Sequence, residues 1–250
     1  MKIDVFFSPV AVTAPDTAGR TVVVIDVLRA TTSIAVALAN GAKAVVPAAS
    51  SEEALRLAQN LERDDVVLAG ERKSQRVPGF ALGNSPAEFT KDVVQGKTVV
   101  MATTNGTPAF LCVQNAREVI SVAAVNFSVS VARCRAALEQ HGELAILCAG
   151  RERHFALEDA FAAGRLAKVL LPEGGLRRVK VNDSAVAALE LARHYGEKWL
   201  RALRASSHGQ DLADLGYRED VKFCANENTH PVVALYAERR ITAHRDQNAG

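Results

Sequence analysis

Residues 19–49 read GRTVVVIDVLRATTSIAVALANGAKAVVPAA. The run TVVVIDV (21–27) is rich in β-branched residues and predicts a buried strand. TTSIAVALANGA (31–42) follows as a helix, with Gly41 as its natural stop. AVVPA (44–48) then reads as a second, short strand. Strand, helix and strand in one compact stretch form a βαβ unit, and such units point to a layered α/β fold.

The alternation continues outward. SSEEALRLAQNLE (50–62) opens with the Ser-x-x-Glu spacing of a capping box. DVVLAG (65–70), TVVMAT (98–103), EVISVA (118–123) and LAILCA (144–149) read as further strands, with helices at 108–115, 127–141 and 157–171. The expectation is one domain over 1–250 of three-layer α/β/α type, with a largely parallel or mixed sheet. The stretch ERKSQRVPGFALGNSPAEF (71–89) breaks the rhythm, and a long irregular loop inside a compact domain is usually functional or disordered. After residue 171 the pattern weakens to a helical stretch at 183–206 and a strand pair within 216–243. Residues 96–124, GKTVVMATTNGTPAFLCVQNAREVISVAA, echo 19–49. Two ordinary βαβ units account for this, as does an internal duplication with halves starting near 19 and 96 and two loops at one sheet edge.

Composition narrows the function classes. The chain has 250 residues, 48% hydrophobic and 23% charged, which fits a globular protein with a sizeable core. A net charge of +2 and only 5% aromatic residues argue against nucleic acid as a partner. No stretch has the length or purity of a membrane span, and MKIDVFFSPV lacks a signal-peptide apolar region, so a cytoplasmic location is expected. Cys112, Cys134, Cys148 and Cys224 form no CxxC pair and are expected to be reduced. A homo-oligomer is left open.

Four polar clusters follow strands or interrupt the rhythm, where an open parallel sheet binds ligands. In the first, Asp26 ends a β-branched run, a place where a carboxylate needs a partner or a metal. Arg29 there can offer a fork to an oxyanion, and Thr31, Thr32 and Ser33 can cap the helix or donate to an anion at its start. A capped helix with an Asp–Arg ion pair explains the same residues. In the second, Glu71 and Arg72 follow a strand and lead to Asn84-Ser85-Pro86, which suits a metal-plus-oxyanion site or a plain surface loop. The third is Thr103-Thr104-Asn105-Gly106-Thr107 before Pro108, either a turn or an anion nest; it lacks the Gly-Lys-Ser/Thr end of a Walker loop. The fourth, CAGRERHFALEDAFAAG (148–164), holds Cys148, Gly150 and the pair Glu158-Asp159, which either complements a helix dipole or binds a hard cation. A Cys-x5-Arg phosphatase loop would need Arg at 154, where His154 stands, and an Asp-x-Asp motif would need Asp at 28, where Leu28 stands. Cys148 with His154 leaves a Cys-dependent hydrolase as a further alternative.

Together, VIDVLRATTS, GER, GF-x-x-GNSP, TTNGT, CAG, F-x-LEDAFAAG and DVKFC resemble the 2-phosphosulfolactate phosphatase (ComB) family over roughly residues 1–235. The resemblance implies a magnesium-dependent acid phosphatase that converts (2R)-O-phospho-3-sulfolactate to (2R)-3-sulfolactate and phosphate, a step of coenzyme M biosynthesis. It implies catalytic roles for Asp26, Arg29, Glu71 and Arg72. Substrate contacts would come from Thr31, Thr32, Asn84, Ser85, Thr103, Thr104, Asn105, Gly106, Thr107, Cys148 and Gly150, and magnesium ligands from Asp26, Glu71, Glu158 and Asp159. The chain departs from the family pattern at Ala81, usually Asp, and at Arg153, usually Gly, which bears on the substrate more than on the fold. A non-catalytic protein that binds phosphate esters on the same fold is the rival expectation.

Overall fold

The computed structural model describes residues 1–244; positions 245–250 of the expected 1–250 domain lie outside the described residues. Eleven strands build one mixed sheet: β1 (Lys2–Phe6), β2 (Thr21–Ile25), β3 (Ala44–Pro47), β4 (Val66–Arg72), β5 (Gln75–Arg76), β6 (Thr98–Ala102), β7 (Glu118–Val122), β8 (Glu143–Cys148), β9 (Lys180–Val181), β10 (Val233–Ala237) and β11 (Arg240–His244). Their order is β5-β4-β6-β3-β11-β10-β7-β2-β8-β1-β9.

Two parallel blocks, β4-β6-β3 and β7-β2-β8-β1-β9, are joined by the C-terminal hairpin β10–β11, and β5 adds a short antiparallel edge to β4. The pairings β7–β10, β10–β11 and β11–β3 are all antiparallel, so the two blocks run in opposite directions. The echoing segments occupy reciprocal places. β2 pairs with β7 from Thr21↔Glu118, and β3 pairs with β6 from Ala44↔Thr98. Each segment thus starts in one block and ends in the other, and its helix crosses the hairpin. The blocks run in opposite directions, yet the loops after β2 and β6 lie against each other, with Gly106 facing Asp26 and Ala30. They meet where helices Ala30–Ala39 and Gly106–Leu111 begin.

Strand periodicity divides the core into two faces. Val22 and Val24 pack with Val45, Val99, Met101 and the two crossing helices through Ile34, Leu38, Ala109 and Phe110. Val23 and Ile25 point the other way, against helices Phe127–His141, Leu157–Leu170, Asp183–Tyr195 and Trp199–Ala205. Helix Ser51–Gln59 covers the corresponding face of the smaller block, where Ala54 and Leu57 meet Val100 and Ala102. Helices on both faces give the three-layer α/β/α arrangement that the alternation predicts.

The structure differs from the sequence reading in several places. The helix expected at 108–115 spans Gly106–Leu111, and helix Arg218–Phe223 precedes the hairpin within 216–243. The segment Lys2–Phe6 forms a strand within the sheet, and its Asp4 is satisfied by Arg20 at 2.8 Å and Lys2 at 2.9 Å. The helical stretch 183–206 breaks after Tyr195, because Gly196 takes a positive φ of 62° and ends the hydrogen-bond ladder on the Ala192 carbonyl. The irregular loop 71–89 turns back along β4, with the Leu82 N–H donating to Leu68 O at 3.1 Å and Val77 and Phe80 buried under the smaller block.

Helices Leu157–Leu170 and Asp183–Tyr195 approach so closely that a Cβ added at Gly164 would lie 1.9 Å from the Ala188 carbonyl oxygen. Gly164→Ala is expected to lower unfolding stability by about 1–3 kcal/mol through overpacking, read as a shifted urea midpoint.

Candidate active site

A cavity of about 390 Å³ opens where the loops after β2, β4, β6 and β8 come together with the C-terminal helices. Asp26, Arg29, Glu71, Asn84, Thr104 and Asn105 line it, as the sequence reading expects of its site residues. Lys73 and Ser74 of the stretch 71–89 and Arg151 of the stretch 148–164 also line it, though the sequence reading singles out none of them, as do His208, Asp211 and Asp214, which lie outside the sequence motifs.

Asp26 sits at the end of β2 and is 5% exposed. Its Oδ1 accepts a long hydrogen bond, 3.4 Å, from the N–H of Ala30 at the start of the following helix. Burial pushes its carboxyl up to about 7; the charges of Glu71 and Glu158 add to the rise, while His208 and the Ala30 N–H oppose it. Only glycine fits opposite. A Cβ at Gly106 would stand 2.7 Å from Asp26 Oδ2 and 2.4 Å from the Ala30 methyl. Gly106 is therefore a contact glycine that lets the β6 loop close on Asp26.

Glu71 braces the loops. Its oxygens accept from Thr104 N at 2.7 Å, Thr104 Oγ1 at 3.2 Å and Ser74 N at 2.8 Å. Asp159 does the same on the other side, accepting from Val27 N at 3.0 Å and Gly150 N at 3.1 Å. Burial, then the neighbouring Asp26 and Glu158 charges, hold the Asp159 carboxyl well above the usual range. Glu158 is buried and shares one oxygen, Oε1, with His208 Nδ1 at 3.2 Å.

Arg29 is held on three sides. It donates to Asp220 at 2.6 Å and to the Ser74 carbonyl at 2.8 Å, and its guanidinium lies 4.4 Å from the centre of the Tyr217 ring. Ser85 is turned to the same carboxylate, its hydroxyl donating to Asp220 at 2.7 Å. The ion pair is thus Arg29–Asp220 rather than a local Asp26–Arg29 pair. Asp220 comes from helix Arg218–Phe223, far along the chain.

Several sequence-predicted contacts are spent inside the protein. Thr31 and Thr32 are fully buried, with hydroxyls donating to the carbonyls of Asp26 at 2.8 Å and Val27 at 2.9 Å. Thr103 and Thr107 cap each other's backbone at 3.0 Å. Arg72 points away from the cavity lining and donates to the carbonyl of Glu71. Cys148 is 1% exposed, and burial pushes its thiol well above the ordinary value. A thiolate nucleophile is disfavoured there. Gly150 is needed for its backbone: φ is +67° and an added Cβ would lie 2.2 Å from the His154 carbonyl oxygen.

The donor set can be tested for a hard cation. Among the described residues no three Asp, Glu, His or Cys side chains group closely enough to enclose an ion by themselves. Magnesium does not need such a cage, since one or two carboxylates, waters and a substrate phosphate suffice. Glu71 and Asp159 have both oxygens engaged by protein donors, whereas Asp26 Oδ2 and Glu158 Oε2 accept from no described residue. Two buried neighbouring carboxylates with free oxygens fit a divalent cation. Asn84 adds a buried side-chain oxygen with no hydrogen-bond partner.

The sequence profile of the 2-phosphosulpholactate phosphatase family matches residues 7–239, and the chain belongs to that family. A probable 2-phosphosulfolactate phosphatase of Symbiobacterium thermophilum is 41% identical over 228 residues, covering 91% of this chain and 96% of the relative. A protein of the same description from Deinococcus radiodurans is 42% identical, covering 84% and 85%, and one from Caldanaerobacter subterraneus is 39% identical, covering 86% of each.

A carboxyl raised from 3.8 to about 7 costs folding stability as pH climbs through that interval, because the unfolded chain releases the proton first. Asp26→Asn removes that cost. In EDTA the variant is expected to melt above the wild type by about 5–10 °C at pH 8, with a smaller gap at pH 5. Thermal melts at the two pH values check the sign.

Proposed function

We propose that this family member is a magnesium-dependent phosphatase that hydrolyses (2R)-O-phospho-3-sulfolactate, or a closely related phosphorylated hydroxy acid, to the free hydroxy acid and phosphate. The observation that carries the reading is the buried, under-coordinated Asp26 carboxylate beside Glu158, facing a polar cavity in which Arg29 is fixed. A carboxylate desolvated to this degree calls for a cation, and a phosphate ester calls for both a cation and oriented donors. The printed names of the relatives support the substrate class.

Asp26 and Glu158 would hold the magnesium ion. When bound, magnesium neutralises charge developing on the phosphoryl oxygens. Arg29 has five N–H donors and spends two on Asp220 and Ser74, so the rest can reach a phosphoryl oxygen in a fixed orientation. Asn105 accepts the Glu152 N–H through its side-chain oxygen at 2.9 Å, which leaves its amide nitrogen to donate to an anion. Glu71 and Asp159 keep the four loops at the spacing the ester needs. Rigid placement of this kind supplies much of the rate in phosphoryl transfer.

Phosphate release from (2R)-O-phospho-3-sulfolactate is expected with magnesium and not in EDTA, and Asp26→Asn should lose at least about a hundredfold in kcat. Cys148→Ala should keep kcat within about threefold, since the thiol stays protonated and in the core. Full turnover in EDTA would remove the metal from the reading, and tight ester binding without phosphate release would favour a non-catalytic binding protein.

A further inference from the structure

The cavity is lined by cations and carboxylates, and most of the cations are matched. Arg29 pairs with Asp220 and Arg151 with Asp211 at 2.5 Å, while His208 Nδ1 lies 3.2 Å from Glu158 Oε1. Lys73 is the exception. It lines the cavity, is exposed, and among the described residues has no carboxylate within ion-pair distance.

The position of Lys73 is fixed by the site itself. It forms, with Ser74, the turn between β4 and β5, and both residues take positive φ, 51° and 65°. The Ser74 N–H donates to Glu71 Oε2, and the Ser74 carbonyl accepts from Arg29. The turn is therefore clamped from both sides by residues of the candidate phosphoryl site. An exposed lysine on a mobile loop would be a solvated charge of little consequence. A lysine on a turn tied to the candidate phosphoryl site has its backbone anchored there, and its side chain lines the same cavity.

We infer that Lys73 is a specificity-determining residue that receives a second anionic group of the substrate, a carboxylate or sulfonate remote from the phosphoryl group. The inference rests on the phosphatase reading for the identity of the ester, and on the turn geometry for the location of the second anion. An unmatched ammonium favours ligands with a further negative charge over simple monoesters, because only the former give it a partner.

Calorimetry with non-hydrolysable probes separates the possibilities. Wild type, Lys73→Gln and Lys73→Arg are titrated in magnesium buffer with (2R)-3-sulfolactate, lactate and inorganic phosphate. Lys73→Gln is expected to weaken sulfolactate about five- to tenfold and leave phosphate unchanged, with Lys73→Arg near wild type. A loss for sulfolactate alone identifies the sulfonate as the partner, and an equal loss for lactate identifies the carboxylate. Unchanged sulfolactate affinity, or an equal loss for inorganic phosphate, overturns the inference. Absence of phosphate release by the wild type would instead count against the phosphatase reading, since these titrations require no turnover.

Discussion

A carboxylate withdrawn from water at the end of a buried strand is the constraint around which the molecule is organised. Asp26 sits among apolar strand residues with one weak backbone donor and three acidic neighbours, Glu71, Glu158 and Asp159. Its surroundings are built to keep it there. Gly106 lets the opposite loop approach, Asp159 ties the chain just after Asp26 to the β8 loop, and Glu71 ties the β4 turn to the β6 loop. Stability is given up at Asp26 and at Asp159, whose carboxyls are both raised by burial, while the hydrogen bonds of Glu71 and Asp159 hold the loops in place.

The α/β layering was legible in the sequence because its cause is local. The β-branched runs at 21–27 and 98–103 and the apolar helices after them carry the periodicity that the core then uses. The direction of the blocks was not legible. It depends on a short C-terminal hairpin inserted between segments more than a hundred residues earlier, and no local pattern records which strands will flank it. Asp26, Glu71 and Asn105 stood out because polar residues at strand ends have few structural excuses. Asp220 stood out only as part of DVKFC, with no role, and His208 not at all, because each looks like an ordinary helix residue until the fold brings it to Arg29 or Glu158.

The threonine-rich loops show where a residue type misleads. Hydroxyls beside a helix start suggest an anion cradle, yet Thr31, Thr32, Thr103 and Thr107 turn to nearby backbone groups. Burial explains the choice. A hydroxyl with no access to water must find a partner nearby, and the closest acceptor is its own preceding turn. These residues shape the loops, while Asn84, Thr104, Asn105 and Arg29 are among the side chains that line the cavity.

The hairpin Val233–Ala237 and Arg240–His244 is the last piece of regular structure among the described residues, and it supplies the pairings that make two opposed blocks into one sheet. On a ribosome, the β2, β4, β6 and β8 loops all emerge well before the strands that seat their blocks against each other. The acidic site is thus assembled late, after the chain has closed contacts of very long sequence separation. A polypeptide that stops before residue 233 would hold the residues of the cavity's lining and still lack the strands that seam its two blocks together.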